Sequence, residues 1–136
     1  MLAENTVLTG RRAITRSYAK INLTLDVLSK RENGYHDIKM IMQTVSLFDL
    51  ILVDKTHRGI SISTNLPYLP CNEKNIAYKA ADAFFKATGI RGGAKIVIHK
   101  NIPVAAGLAG GSGNCAAVLT AMNMLHGNPL SNDELM

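Results

Sequence analysis

Residues 103–117 read PVAAGLAGGSGNCAA. Four glycines stand there between a β-type run, GGAKIVIHK, and the helix-forming AAVLTAMNMLHG. Glycine loses the most backbone entropy on folding, so a cluster of it in a strand-to-helix connection needs a reason. Spacing alone leaves two readings open. One is a plain loop. The other is an anion cradle, in which backbone N–H groups turn inward and the following helix adds unpaired donors and its positive dipole end. Neither G-x-x-x-x-G-K-[ST] nor G-x-G-x-x-G is present, so a P-loop and a Rossmann turn are both unsupported.

A length of 136 residues allows one domain with a real core, and 47% apolar with 18% charged residues marks a globular chain rather than a disordered one. The net charge of +5 suits anionic partners without choosing among nucleotides, RNA and acidic membranes. Cys71 and Cys115 form no C-x-x-C pair, which points to a reducing compartment, and a cytoplasmic location is expected. His36, His57, His99 and His126 have no metal-ligand spacing with cysteines or acids. The opening MLAENTVLTGRR does not read as a signal peptide. Residues 1–16 are therefore expected to be a leader, possible disorder included, ahead of a domain over 17–136. From Asn101 to Asn132 there is no Lys, Arg, Asp or Glu, a span long enough for a bilayer. Pro103, the glycine cluster, Ser112, Asn114 and Asn123 exclude a membrane helix there; a loop and a buried helix fit better.

The residues 18–28, YAKINLTLDVL, alternate: Ile21, Leu23, Leu25 and Val27 on one side, Lys20, Asn22, Thr24 and Asp26 on the other. That predicts a strand with one core face. Asn33-Gly34 marks a turn, after which KMIMQTVSL, DLILVD and ISIST read as further strands of an antiparallel sheet. Asn75 precedes a helical pattern with Ile76, Ala80, Ala83, Phe84 and Ala87 on its apolar stripe, and Gly89 ends it. His99, Lys100 and Lys95 read as an exposed strand face, and Met40, Met42, Met122 and Met124 as core filler. Ser131 and Glu134 form a capping box, with only Leu135 and Met136 after it; the chain reads as a fragment of something longer.

The ordered series YAKINLTLDVLSKRENGYHDI, IMQTVSLFD, EKNIAYKAA and IPVAAGLAGGSGNCAA resembles the GHMP kinase superfamily. The lysine strand with G-Y-H resembles those of its members that act on a cytidine-diphosphate-bearing erythritol in non-mevalonate isoprenoid synthesis. The resemblance covers the chain from about Ser17 onward, and roughly the N-terminal half of such an enzyme. It implies an α+β fold whose N-terminal domain is like domain 2 of ribosomal protein S5, here without its last elements. It also implies transfer of the γ-phosphoryl of ATP, with Mg2+, to the 2-hydroxyl of a small molecule carrying cytidine diphosphate.

By the same resemblance, Lys20 neutralises charge at the reacting hydroxyl, Asn22 holds the substrate, and Tyr35 and His36 recognise cytosine. Asn75 and Lys100 line the nucleotide pocket. The loop from Pro103 to Gly113 wraps the phosphates with its backbone N–H groups (Val104, Ala105, Ala106, Gly107, Leu108, Ala109, Gly110, Gly111, Ser112 and Gly113 as donors, Pro103 having none), with Ser112 adding a hydroxyl and a helix starting near Asn114. The family loop commonly has a second serine where this chain has Gly113, and often an aspartate where it has Asn114. The family's catalytic aspartate falls beyond the helix that begins at Ser131, so the chain alone is expected to be inactive. Rival readings are a basic S5-like RNA-binding module, a non-catalytic nucleotide-binding remnant, and a homoserine or mevalonate kinase. Only 5% of residues are aromatic and no dense basic stripe occurs, which disfavours RNA. Tyr35-His36 argues against the other kinases.

Overall fold

The computed structural model describes residues 3–136. After one 3-10 turn at Ala3–Asn5 come β1 (Thr6–Thr9), β2 (Arg12–Lys30), β3 (His36–Thr56) and β4 (Gly59–Thr64). Helix α1 (Ile76–Thr88), strand β5 (Gly93–His99), helix α2 (Gly110–Leu125) and the single turn α3 (Asn132–Leu135) follow. The strands form one sheet in the order β1-β2-β3-β5-β4. Neighbours run antiparallel except β4 and β5, which are parallel because α1 carries the chain back between them. The purely antiparallel expectation is thus corrected at that edge.

The leader expectation is corrected as well. Residues 1 and 2 lie outside the described residues, but Thr6↔Thr15 through Thr9↔Arg12 pair β1 with β2. The hydroxyls of Thr6 and Thr15 share a 2.6 Å hydrogen bond inside the protein. The sheet therefore starts well before Ser17. The two strands expected at KMIMQTVSL and DLILVD are one continuous β3, irregular where Tyr18↔Phe48 gives way to Lys20↔Thr44.

Both long helices cover one face of the sheet. Ala13, Ile51, Val53, Ile62, Ala94, Ile96 and Ile98 from the strands meet Phe84, Ala117, Val118, Ala121 and Met122 from the helices. Small alanines on facing helix surfaces let α1 and α2 lie close together above the sheet. Asn75 caps α1 by accepting the Ala77 N–H at 2.9 Å, and Gly89 closes it with φ 67°, a left-handed geometry glycine adopts without Cβ strain. The buried stripe of α1 is Ala77, Ala80, Ala81 and Phe84. Ile76, Ala83 and Ala87 from the expected stripe are exposed, because the neighbouring α2 takes the Ala77–Ala81 side. The Ser131–Glu134 capping box is formed as expected.

Beyond the body, β2 and β3 continue as a bare two-stranded ribbon. Register shifts between Asn22 and Thr24 and between Val27 and Ser29 mark bulges, so the expected strict alternation breaks. Asn22, Leu25 and Val27 stand opposite Met42, Met40 and Ile38, which share one face of β3. Nothing covers that face: Leu25, Val27 and Met42 are all more than half exposed, and Met40 nearly so. The expected core face on this strand is therefore absent, and Met40 and Met42 are not core filler; Met122 is. Cys71 and Cys115 are both free thiols. Among the described residues no helix is long and apolar enough to cross a membrane.

Candidate functional site

Strand β5 ends at His99, and the chain then crosses the end of the sheet before entering α2. Between them lies a cleft of about 500 Å³, lined by Thr64, Leu69, Pro70, Lys74, Asn75, Ile76, Ile98, Lys100, Pro103 through Gly111, and Asn114. The glycine stretch, Asn75 and Lys100 are thus brought together, as the sequence implied. Helix α2 starts at Gly110 rather than near Asn114, so the last residues of the expected loop are its first turn. Gly113 N already donates to Ala109 O at 2.9 Å, as an intrahelical bond does. The N–H groups of Gly110, Gly111 and Ser112 precede that bond and belong to the set every helix leaves without intrahelical partners. Ala109, at the N-cap, has no side chain to cap them. Uncapped N–H donors and the positive dipole end of α2 therefore open beside the cleft, which Gly110 and Gly111 line, an arrangement that suits an anion.

The loop holds two alanines in left-handed geometry, Ala105 and Ala109, both at φ 59°. Each costs roughly 1–2 kcal/mol against an ordinary conformation. Such strain persists only where surrounding contacts impose it. One such contact joins the loop to the long strand: Lys20 N donates to Leu108 O at 3.1 Å. Lys20 is exposed at this junction, and Asn22 follows it on the ribbon. The structure does not bring Tyr35 and His36 to the cleft. They stand at the ribbon tip, beyond the whole length of strand from Lys20 to Lys30. Tyr35 is 72% exposed, and the tip is ordered by Arg31 N donating to Tyr35 O and by Asp37, which accepts from Ser29 and Arg31.

Lys100 departs from the exposed strand face read from the residues alone. Its ammonium is almost fully buried and pairs with Asp49, which is wholly buried on β3. The Asp49 carboxylate also accepts the N–H groups of Asn101 (2.7 Å) and Ile102 (2.8 Å). The network orients the Asn114 amide so that its nitrogen donates to Asp49 Oδ2 (2.9 Å) and Gly110 O (3.1 Å), while its oxygen accepts from Lys100 Nζ (3.1 Å). Asn65 closes the back of Lys100, accepting its N–H at 2.7 Å and donating to its carbonyl at 3.1 Å. A Cβ on Gly110 would come within 3.1 Å of Lys100 Nζ and 3.2 Å of Ile102 Cγ2, so only a hydrogen fits comfortably.

Gly113 has a different reason. A Cβ there would stand 2.6 Å from Ser17 Oγ on β2, so the helix approaches the strand closely at this point. Neither Gly113 nor Ser112 lines the cleft; the Ser112 hydroxyl donates to Ala109 O at 3.3 Å. Burial pushes the Cys115 thiol up, leaving it a poor nucleophile despite its place in the motif. Sequence reasoning missed Asp49 and Asn65. A single acid inside the apolar run SLFDLILV was the available signal, since a buried carboxylate must find partners.

The profile of the family described as GHMP kinases N terminal domain matches residues 75–136, which begin at the α1 cap and include the whole glycine stretch. A 4-diphosphocytidyl-2-C-methyl-D-erythritol kinase from Clostridium botulinum is 51% identical over 121 residues, covering 89% of this chain and 43% of the relative. The same-named kinase of Caldicellulosiruptor saccharolyticus is 52% identical over 124 residues, again covering 43% of the relative. A solved structure of 4-(cytidine 5'-diphospho)-2C-methyl-D-erythritol kinase superposes with a TM-score of 0.79 at 35% identity, over 90% of this chain and 44% of that one. Homoserine kinase from Cytophaga hutchinsonii shares the fold, with a TM-score of 0.69 at 19% identity. The chain spans less than half the length of the curated relatives it matches. Residues 75–136 thus belong to the GHMP kinases N terminal domain family, and the chain as a whole matches the N-terminal part of 4-diphosphocytidyl-2-C-methyl-D-erythritol kinases.

Proposed function

We propose that this chain is the nucleotide-binding part of a kinase that moves the γ-phosphoryl of ATP to the 2-hydroxyl of 4-diphosphocytidyl-2-C-methyl-D-erythritol, in the cytoplasm. The observation that carries the reading is the cleft at the start of α2, where unpaired N–H donors meet a glycine loop, Asn75 and Lys100. Phosphoryl transfer asks mainly for positioning and charge neutralisation, and a helix N-terminus supplies both for phosphate. The residues present fit ATP: the cleft of about 500 Å³ lies in the usual small-ligand range, and Lys74 adds a cation to its lining. Among the described residues no group of three or more His, Cys, Asp or Glu side chains forms a metal cage. Mg2+ would come to this chain with the nucleotide, held largely by its phosphates.

Lys20, whose backbone N–H bonds to the loop at Leu108 O, would neutralise charge where the acceptor hydroxyl meets the nucleotide, a role its tie to the loop supports. Asn22 and the exposed Tyr35 and His36 are the groups offered to the cytidine-bearing substrate. The cleft lining holds no Asp or Glu that would take the hydroxyl's proton. The chain alone is therefore expected to bind ATP without turnover. Calorimetric titration with ATP tests this, with binding and no ADP formation expected. Absence of ATP binding beside RNA binding that weakens steeply with salt would replace the reading with an RNA module. Competition for the acceptor site by CDP, and not by homoserine or mevalonate, separates this kinase from its fold relatives.

A further inference from the structure

The Asp49 carboxylate contacts two segments at once, residues 100–102 after β5 and the first turns of α2. It accepts the Asn101 and Ile102 N–H groups where the chain leaves β5, it pairs with the Lys100 ammonium on the cleft floor, and it accepts from Asn114 in α2. All of this happens with Asp49 at 0% and Asn114 at 4% exposure. Lys100 and Asn114 line the cleft, whereas Asp49 does not. The positive charge of Lys100 is matched by a carboxylate within the protein, so the free donors offered to phosphate are those of the α2 start. The angle between the β5 exit and α2 decides where those donors point. Asp49, on β3, touches both sides of that angle, beside the direct contact of the Lys100 ammonium with the Asn114 amide.

We propose that Asp49 is a positioning residue for the nucleotide cleft: it fixes the glycine loop's entry and the first turn of α2 in the arrangement that binds phosphate, while touching no nucleotide itself. This rests on the nucleotide reading above. A carboxylate accepting two backbone N–H groups and a buried ammonium is hard to replace, because losing it leaves the Asn101 and Ile102 N–H groups without their acceptor and the buried Lys100 ammonium without its counter-charge. Asn at this position keeps an oxygen for the two N–H groups but removes the charge opposite Lys100. Ala removes both.

The test compares wild type, Asp49→Asn and Asp49→Ala by amide hydrogen exchange of the 136-residue chain and by ATP titration. Exchange over residues 100–113 is expected to rise about tenfold in D49N and further in D49A, with α1 and β4 unchanged. ATP affinity is expected to fall in the same order, by about tenfold and then more. Faster exchange spread evenly over the whole chain would reduce Asp49 to a general stability residue and overturn the proposal. So would a locally opened loop with ATP affinity within about twofold of wild type. Should D49A fail to fold, D49N decides by the same two readouts. A wild-type chain that binds no ATP overturns the nucleotide reading itself; a wild type that binds, beside an Asp49 variant that binds as well, overturns only the role of Asp49.

Discussion

Strands β2 and β3 pass through two environments, and their residues fare differently in each. In the body, Ala13, Thr15, Ser17 and Ala19 are buried at every second position, opposite Val53, Ile51 and Asp49. In the ribbon the same strands carry Leu25, Val27, Ile38 and Met40 largely in the open. Apolar content is similar in both stretches. What differs is whether α1 and α2 reach them. Alternation declares a strand, but burial is decided by the layer that packs on it.

The comparison predicts unequal costs for the same kind of change. Phe84→Ala, in the middle of the body, should cost about 3–5 kcal/mol in a denaturant melt. Val27→Ala or Met40→Ala on the ribbon should shift the same melt by less than about 0.5 kcal/mol. Equal losses at the two places would break the contrast.

Where the body meets the ribbon, Gly113→Ser should cost about 1–3 kcal/mol, because the new Cβ crowds Ser17 Oγ. Ser17→Ala in the same chain should recover most of it, measured as a double-mutant cycle. Additive losses would mean that the close approach does not matter. A smaller effect is expected at the α1 cap, where Asn75→Ala removes both its bond to Ala77 N and its bond to Pro70 O, costing about 1 kcal/mol. That variant should also weaken ATP binding, since Asn75 lines the cleft, whereas ribbon variants should not.

The smallest expected effect is a pH dependence of the body alone. Burial first, and Lys55 second, hold the His126 imidazole below its usual 6.5, where it packs against the rings of both Phe84 and Phe85. The unfolded chain then takes up the proton more readily than the folded one. The contribution is full above pH about 6.5 and is lost as pH falls through the lower folded value. His126→Phe should flatten the decline of Tm on acidification between about pH 7 and 5, and an unchanged slope would remove His126 as its source.

Much of the body was legible because local signals agreed there. Asn75 and Gly89 bracket α1, Ser131 and Glu134 cap α3, and the glycine cluster marks the way into α2. The glycine cluster left a plain loop and an anion cradle both open, and the structure shows that Pro103 through Gly111 line a cleft. Asp49 stayed hidden because its partners, Lys100, Asn101 and Asn114, come from segments far along the chain. The bulges of β2 were equally hidden, since two extra residues leave the composition alternating while turning side chains to the other face. The start of the sheet at Thr6 was missed because four residues of edge strand carry little periodic signal.

The central claim is that nucleotide phosphate sits at the start of α2. The most direct measurement is an amide chemical-shift titration of the chain with ATP. The account predicts shifts confined to residues 100–114 and the neighbourhood of Asn75, with the ribbon tip at Tyr35 and His36 unmoved. Shifts centred on the ribbon, with the Gly110–Ser112 amides silent, would contradict it.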